Sequence, residues 1–504
     1  MGVDMMNVKT EYGKQTFIEC VALKDRAIKA EGKSGGFGDE KRILCASAKV
    51  TPISVRVEDG KAVFTAKAVF SALYEENGQL SSSECGAEFS SEFNDERIKI
   101  GDKVNVFYNV ERTSYRTANG EVTIESYVKA SGILETKKER EYLTGGEGLL
   151  TRRVTAKTYG RTNTYKNPYF VEDETEVNGV IKEVFIGDAC VYATGAETGN
   201  GKITVYGGTE VSFAYETTDG KILQTRKTSD FFAEVDAPDV QSGDCAVAKV
   251  VFKGLKINVV ADDEKGVSQV NYSVSSEVYA YGFSETEREI VTDCYSKDYN
   301  LALTAGYLVN QTPMPAKYLT DRVSGEAVAD GVDAKNIEIV ATAYSAVSGA
   351  EVTCEKGKTT LTGVAECRII YKSEGLYYCS DAELPINQTY DMTFDGDVSF
   401  NVCVTNANVF VTDGKLYAEF VMNLAFYGEK TENIPCIAKA EVTGEKERKD
   451  CALSVFYLPS GTTLWEACKE TDSCEEEIIS ANDGLVFPLE KDEKVLVYRP
   501  MRDY

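Results

Sequence analysis

KITVYGGTEVSFAY (residues 202–215) alternates apolar and polar side chains from one end to the other. It is entered by the turn Gly201-Lys202 and followed by a second turn at Gly220. Period-two alternation rich in Val, Thr, Tyr and Phe reads as a β-strand with one buried face, and the flanking glycines read as tight turns. KAVFTAKAVFSALY (residues 61–74) and KTTLTGVAECRIIY (residues 358–371) have the same design. Each ends on a tyrosine fourteen residues after its glycine: Gly60 to Tyr74, Gly201 to Tyr215 and Gly357 to Tyr371. Second turns follow at Gly78, Gly220 and Gly375.

The likeness extends to both sides. The leaders Ile43-Leu44-Cys45-Ala46-Ser47-Ala48, Phe185-Ile186-Gly187-Asp188-Ala189 and Ile337 to Ala343 end on alanines 12, 12 and 14 residues before the glycines. Downstream, Asn119-Gly120, Lys265-Gly266 and Asp413-Gly414 each precede a further alternating run. The period is a domain's length, too long for a solenoid repeat, so the chain reads as a tandem array of antiparallel β-sandwich or barrel-like units. Runs of fourteen residues are long for flat strands, which predicts bulges at Gly207-Gly208 and Gly363.

Composition narrows the function. The 504 residues hold 43% hydrophobic residues, enough for several cores, and carry a net charge of −26 that repels phosphate backbones and anionic lipid. Nucleic acid is not an expected partner. There is no histidine, which removes the commonest general base and metal ligand. Paired carboxylates, 5–10 Å apart in a glycoside hydrolase, are the one catalytic device left open by 81 acidic residues, and no motif marks such a pair. The reading is non-catalytic, with no cofactor and no metal site.

The start shows no apolar run after a basic patch and no transmembrane segment follows, which predicts a cytoplasmic protein. Met1-Gly2 does not complete a myristoylation signal, since residue 6 is Met. The fourteen cysteines include no CxxC, and Cys190, Cys367, Cys379 and Cys403 sit singly in strand-like runs, where they read as small buried hydrophobes. Cys468 and Cys474 form the one close local pair near the C-terminus. Cross-linking through cysteines and the 29 tyrosines is the alternative use. Two stretches, residues 145–171 with two basic runs and residues 304–325 with two prolines, read as interdomain connectors. The basic runs read as a solvated strand and loop at a domain junction, or as a docking patch for an acidic partner.

The last fifty residues change pattern. LSVFYL (453–458) reads as a strand, LWEACKE (464–470) as a helix with Leu464, Ala467 and Cys468 on one face, and CEEEIISAN (474–482) as a second helix capped by Ser473 and stopped at Asn482-Asp483-Gly484. KVLVY (494–498) closes with a strand, giving a βααβ unit set close to the last repeat.

This segment resembles a LysM domain through Tyr457, Gly461-Thr462-Thr463-Leu464-Trp465, Ala467, Ile478, Ala481-Asn482, Pro488 and Val495-Leu496-Val497. It departs from that family in the long charged stretch Pro488 to Lys494. The resemblance implies binding of N-acetylglucosamine glycans such as peptidoglycan, or of a protein, between two loops: Ser460, Gly461, Thr462 and Thr463 on one side, Asn482, Asp483, Gly484, Phe487 and Pro488 on the other. Trp465, the single tryptophan, reads as a core anchor rather than a sugar platform. The upstream units resemble the SPOCS (DUF3794-like) repeats of SipL-type spore-coat assembly proteins, through Ala48-Lys49-Val50 and the three Gly-Lys turns.

The expected layout is three SPOCS-like β domains at 1–145, 146–299 and 300–449, then a LysM-like domain at 450–504. The resemblance implies a mother-cell scaffold acting at the spore surface and docking a basement-layer coat protein through its LysM-like domain. The alternative is a wall protein that grips peptidoglycan and uses the β repeats as a stalk.

Overall fold

The computed structural model describes residues 8–38, 40–262, 264–447 and 452–498. Met1-Gly2 lies outside the described residues. Strands account for 78% of the chain and form several antiparallel sheets. In chain order they begin with β1 (Lys9–Ala22), β2 (Arg26–Gly35), β3 (Lys41–Glu58), β4 (Lys61–Glu76), β5 (Gln79–Asn94), β6 (Lys103–Ala118) and β7 (Glu121–Glu147). There follow β8 (Leu150–Arg161), β9 (Tyr165–Asn178), β10 (Ile181–Gly199), β11 (Lys202–Thr217), β12 (Ile222–Asp236), β13 (Cys245–Asp262) and β14 (Val267–Tyr295). Next come β15 (Tyr299–Glu326), β16 (Val328–Ala329), β17 (Glu338–Glu355), β18 (Lys358–Ser373), β19 (Leu376–Tyr390), β20 (Asp397–Thr412) and β21 (Lys415–Glu445). The chain closes with β22 (Leu453–Leu458), α1 (Leu464–Thr471), α2 (Glu475–Ala481) and β23 (Glu493–Tyr498).

Two kinds of sheet face each other. Meanders β3-β4-β5, β10-β11-β12 and β17-β18-β19 turn at Gly60 and Gly78, Gly201 and Gly220, and Gly357 and Gly375, all at φ between 76° and 84°. Such positive φ suits glycine because a Cβ would crowd the following carbonyl. Opposite them, the long strands β7, β14 and β21 pair along one edge with β6, β13 and β20 and along the other with the strands that open each segment.

The cores lie between the two layers. In β4 the inward positions Ala62, Phe64, Ala66, Ala68, Phe70 and Ala72 are all fully buried while their neighbours face outward, as a two-residue period demands. Phe64 packs on Phe93 with ring centroids 4.9 Å apart. β11 (Ile203, Val205, Val211, Phe213) and β18 (Leu361, Ala365, Ile369) repeat the pattern.

The alternation fails at the far end of each strand. Leu73, Ala214 and Ile370, each just before its tyrosine, point away from their own core yet are buried, and they meet in one cluster with Phe185, Ile186 and Ala341. Around it the third strand of each meander abuts the first strand of the next: β5 against β10, β12 against β17, and β19 against β3. The contact is head-to-tail and closes on itself. A second apolar seam joins Leu143 of β7, Val291 of β14 and Ile437 of β21.

Several sequence expectations are corrected. The stretch 145–171, read as a strand and loop at a domain junction, holds β8 and the first part of β9, while residues 304–325, read as a connector, lie wholly inside β15. The basic run is neutralised locally, with Arg153 paired to Glu289 at 2.9 Å and Lys157 to Glu285 at 2.7 Å. The bulges fall on the partner strands, near Gly195 of β10 and between Ser348 and Glu351 of β17. Gly207 and Gly363 lie across from them because a Cβ there would come within 2.4 Å of the Tyr192 carbonyl or 3.1 Å of the Ser348 carbonyl. Cys190 and Cys403 are not separate hydrophobes, because a disulfide joins them between β10 and β20. Cys468 and Cys474 remain thiols. Cys474, not Ser473, is the N-cap of α2.

Candidate functional site

The strand β22 ends at Leu458, and the chain then turns through Ser460 to Thr463 into α1. Thr463 caps the helix in a reciprocal box: its backbone N–H donates to Glu466 Oε2 at 2.8 Å, and the Glu466 N–H donates to Thr463 Oγ1 at 3.3 Å. The backbone hydrogen bond from Thr463 holds the Glu466 carboxyl below its ordinary value. Ala467 and Cys468 point inward and are fully buried, joined by Ile478, Leu489 and Val495 in a small core beneath the β22–β23 pair.

The two predicted loop segments are joined through the stretch that follows them. The Gly461 N–H donates to the Leu489 carbonyl at 2.7 Å and the Leu489 N–H returns one to Thr462 at 3.0 Å. Ser460 Oγ donates to the Glu490 carbonyl at 2.9 Å, and its N–H to Asp492 at 2.9 Å. Thr462 Oγ1 donates to the Pro459 carbonyl at 2.7 Å. These polar groups are occupied by the fold itself. Asn482 is a structural pin: its amide donates to Ile478 at 2.7 Å and to Leu496 at 2.8 Å, and its oxygen accepts from the Leu496 N–H at 2.7 Å. Phe487 turns half-inward against the small core, while Asp483, Gly484 and Pro488 remain exposed.

Of the nine predicted residues, then, Ser460, Gly461, Asp483, Gly484 and Pro488 offer the most open surface. Two exposed side chains near them were missed: Val486 at 71% and Tyr457 at 75% relative exposure. Tyr457 was legible as an outward residue, since it alternates with inward-facing Phe456 and Leu458.

Trp465 anchors this unit to the large body. Its indole Nε1 donates to Asp293 of β14, its ring meets Tyr295 edge-on at 5.1 Å, and Lys469 lies 2.8 Å from both Asp293 oxygens. Tyr295 donates to the Ser473 carbonyl at 2.5 Å and Lys297 pairs with Glu477 at 2.7 Å. The helices therefore dock chiefly on the end of β14, within residues 146–299, although Lys446 beyond β21 also pairs with Asp472.

A larger concavity, about 1480 Å³, opens between the first and second β segments. Its walls include Ser71 and Glu84 from the first and Glu183, Phe185, Leu255 and Lys256 from the second. Lys49 crosses the gap to Asp188 at 2.7 Å and lies 4.7 Å over the Phe252 ring, while Asp188 also accepts the Tyr344 N–H at 2.8 Å. Both signs of charge line it alongside apolar side chains such as Phe185 and Leu255. No sequence motif announces this groove, because its walls come from strands far apart in the chain. Among the described residues no helix is long and apolar enough to cross a membrane. No protein-family model matches this chain, and no curated protein or solved structure matches it either.

Proposed function

We propose that this protein is a non-catalytic scaffold of spore-coat or spore-envelope assembly, built from three SPOCS-like β modules and a terminal LysM-like adaptor that docks a coat protein. One observation carries the reading: the βααβ unit is latched to the β body through Trp465 and Asp293 rather than hung on a tether. A latched adaptor presents Ser460, Gly461, Asp483, Gly484 and Pro488 in a fixed direction, as assembly requires. The recurrence of Leu73, Ala214 and Ile370 at one seam supports treating the three β segments as copies of one module. The involvement of Thr462 and Asn482 in holding the fold together favours a protein surface over a glycan, since few free donors remain to grip sugar hydroxyls.

The test uses the full chain, purified and immobilised, beside Ser460→Arg and Asp483→Arg variants. Capture of a basement-layer coat protein, reduced at least tenfold by both substitutions and unaccompanied by retention on insoluble peptidoglycan, is the expected result. Retention on peptidoglycan that these substitutions abolish would replace the adaptor with the wall-binding alternative.

A further inference from the structure

Three β segments that close on one another must hold three seams, and cysteines lie at all of them. At the seam between the second and third, Cys190 and Cys403 are already joined. At the seam between the first and second, Cys20 of β1 lies against the Arg161 guanidinium of β8. At the seam between the third and first, Cys45 of β3 and Cys379 of β19 pack against the same apolar cluster, where Arg42 of β3 donates to the Tyr377 carbonyl of β19. Both thiols are half-buried against the cluster where the meanders converge.

The surroundings hold these two strands together. Arg368 of β18 donates to the Ala46 carbonyl, next to Cys45, at 2.8 Å, and forms a two-pronged pair with Asp381, two residues from Cys379, at 2.8 and 3.1 Å. One guanidinium therefore grips the backbone beside one thiol and the strand that carries the other. We propose that Cys45 and Cys379 are an inter-segment cross-linking site, oxidised to a disulfide by a small-molecule disulfide of the glutathione class. With Cys190–Cys403 it ties the third segment covalently to both of the others, and the chain itself joins the first to the second.

The chemistry balances as two thiol–disulfide exchanges. The Cys45 thiolate attacks one sulfur of oxidised glutathione, forming a mixed disulfide and expelling one glutathione thiolate, which takes up the proton Cys45 lost. The Cys379 thiolate then attacks the Cys45 sulfur and expels the second glutathione, which takes up the proton of Cys379. Two electrons leave the protein sulfurs and two glutathione thiols form. The Arg368 guanidinium beside both thiols favours their thiolate forms, which the exchange needs.

The experiment is a peptide map of the full chain after incubation with oxidised glutathione, alkylation and tryptic digestion without reduction. Trypsin releases Cys45 in residues 43–49, Cys190 in 183–202, and both Cys379 and Cys403 in 373–415. The expected product is one covalent assembly of all three peptides, which dithiothreitol separates. Cys379→Ser should lose the 43–49 peptide from that assembly while 183–202 stays bound to 373–415, which also shows that the variant is folded. Recovery of 43–49 with Cys45 alkylated, or linked to any peptide other than 373–415, from the oxidised wild-type chain would overturn the proposal.

Discussion

Trp465 Nε1 lies 2.9 Å from Asp293 Oδ2, so the single tryptophan of the chain reports on the contact that holds the terminal unit to the β body. Asp293→Ala removes the acceptor for both Trp465 and Lys469. The expected outcome is a red-shifted tryptophan emission and acrylamide quenching raised several-fold, with the far-ultraviolet dichroism of the strands unchanged. Unshifted emission would show that Tyr295 packing alone holds the unit.

The same carboxylate sets a pH dependence. Burial opposes its charge, but Lys469 and Trp465 prevail and hold Asp293 below its ordinary value. A carboxyl lowered by folding contributes its full stability above the ordinary aspartate range and loses it as pH falls through the lowered folded value. Tryptophan emission should stay constant from neutral pH down to that range and shift only below it. Asp293→Asn should remove this acid-linked step.

Lys249 of β13 is half-buried, with its ammonium 4.0 Å over the face of Phe107, and desolvation lowers its pKa to about 8. The unfolded chain holds this proton up to the ordinary lysine value, about 10.4. Between those limits the unfolded state binds more protons, so stability from this group rises with pH. Lys249→Met should stabilise the protein at pH 7 by about 1–3 kcal/mol, the ring contact offsetting part of the charge penalty. The variant should also lose that alkaline rise in the midpoint of thermal unfolding.

Arg161 and Glu135 form a 3.1 Å ion pair between β8 and β7, with side chains only 8% and 1% exposed. Glu135 also accepts the Thr164 N–H at 3.0 Å, and the guanidinium lies 4.0 Å over Tyr281. Glu135→Gln leaves a buried cation without its counter-ion and should cost about 3–5 kcal/mol, measured by urea unfolding. The double replacement Glu135→Gln with Arg161→Met should recover most of that loss, because no unpaired charge remains.

Ile370 is fully buried where the three meanders meet. Truncation to Ala should cost about 2–4 kcal/mol through the cavity it leaves. The control Leu376→Ala, at a residue 48% exposed, should change stability by less than about 0.5 kcal/mol. Equal effects at the two positions would mean that the seam contributes little to stability.

Local chemistry made much of the architecture readable. Gly60, Gly201 and Gly357 mark turns because glycine alone accepts their backbone angles without strain, and β4, β11 and β18 bury alternate residues because successive side chains leave a strand on opposite faces. In the terminal segment the helical spacing of Leu464, Ala467 and Cys468 and the stop at Asn482 depend on neighbours within a few residues, and α1 and α2 form where that spacing puts them. The candidate loops were legible only as positions. That Thr462 and Asn482 are bound into the fold depends on hydrogen bonds to Pro459, Ile478 and Leu496 that spacing does not encode.

Contacts between distant strands settled the rest. Leu73, Ala214 and Ile370 stand where strand alternation turns a side chain away from its own core, and their meeting in one cluster depends on how three sheets pack. The stretch 145–171 reads as a connector because its polar and basic residues hide the pairing that β14 offers to β8 and β9. Cys190 and Cys403 are 213 residues apart, and Asp293 is 172 from Trp465. The sequence determined where strands, turns and helices lie because those depend on side-chain period and backbone strain over a few residues. Only the tertiary structure decided which strand ends, thiols and charges meet, because those meetings are set by packing of surfaces that the chain brings together after its local elements exist.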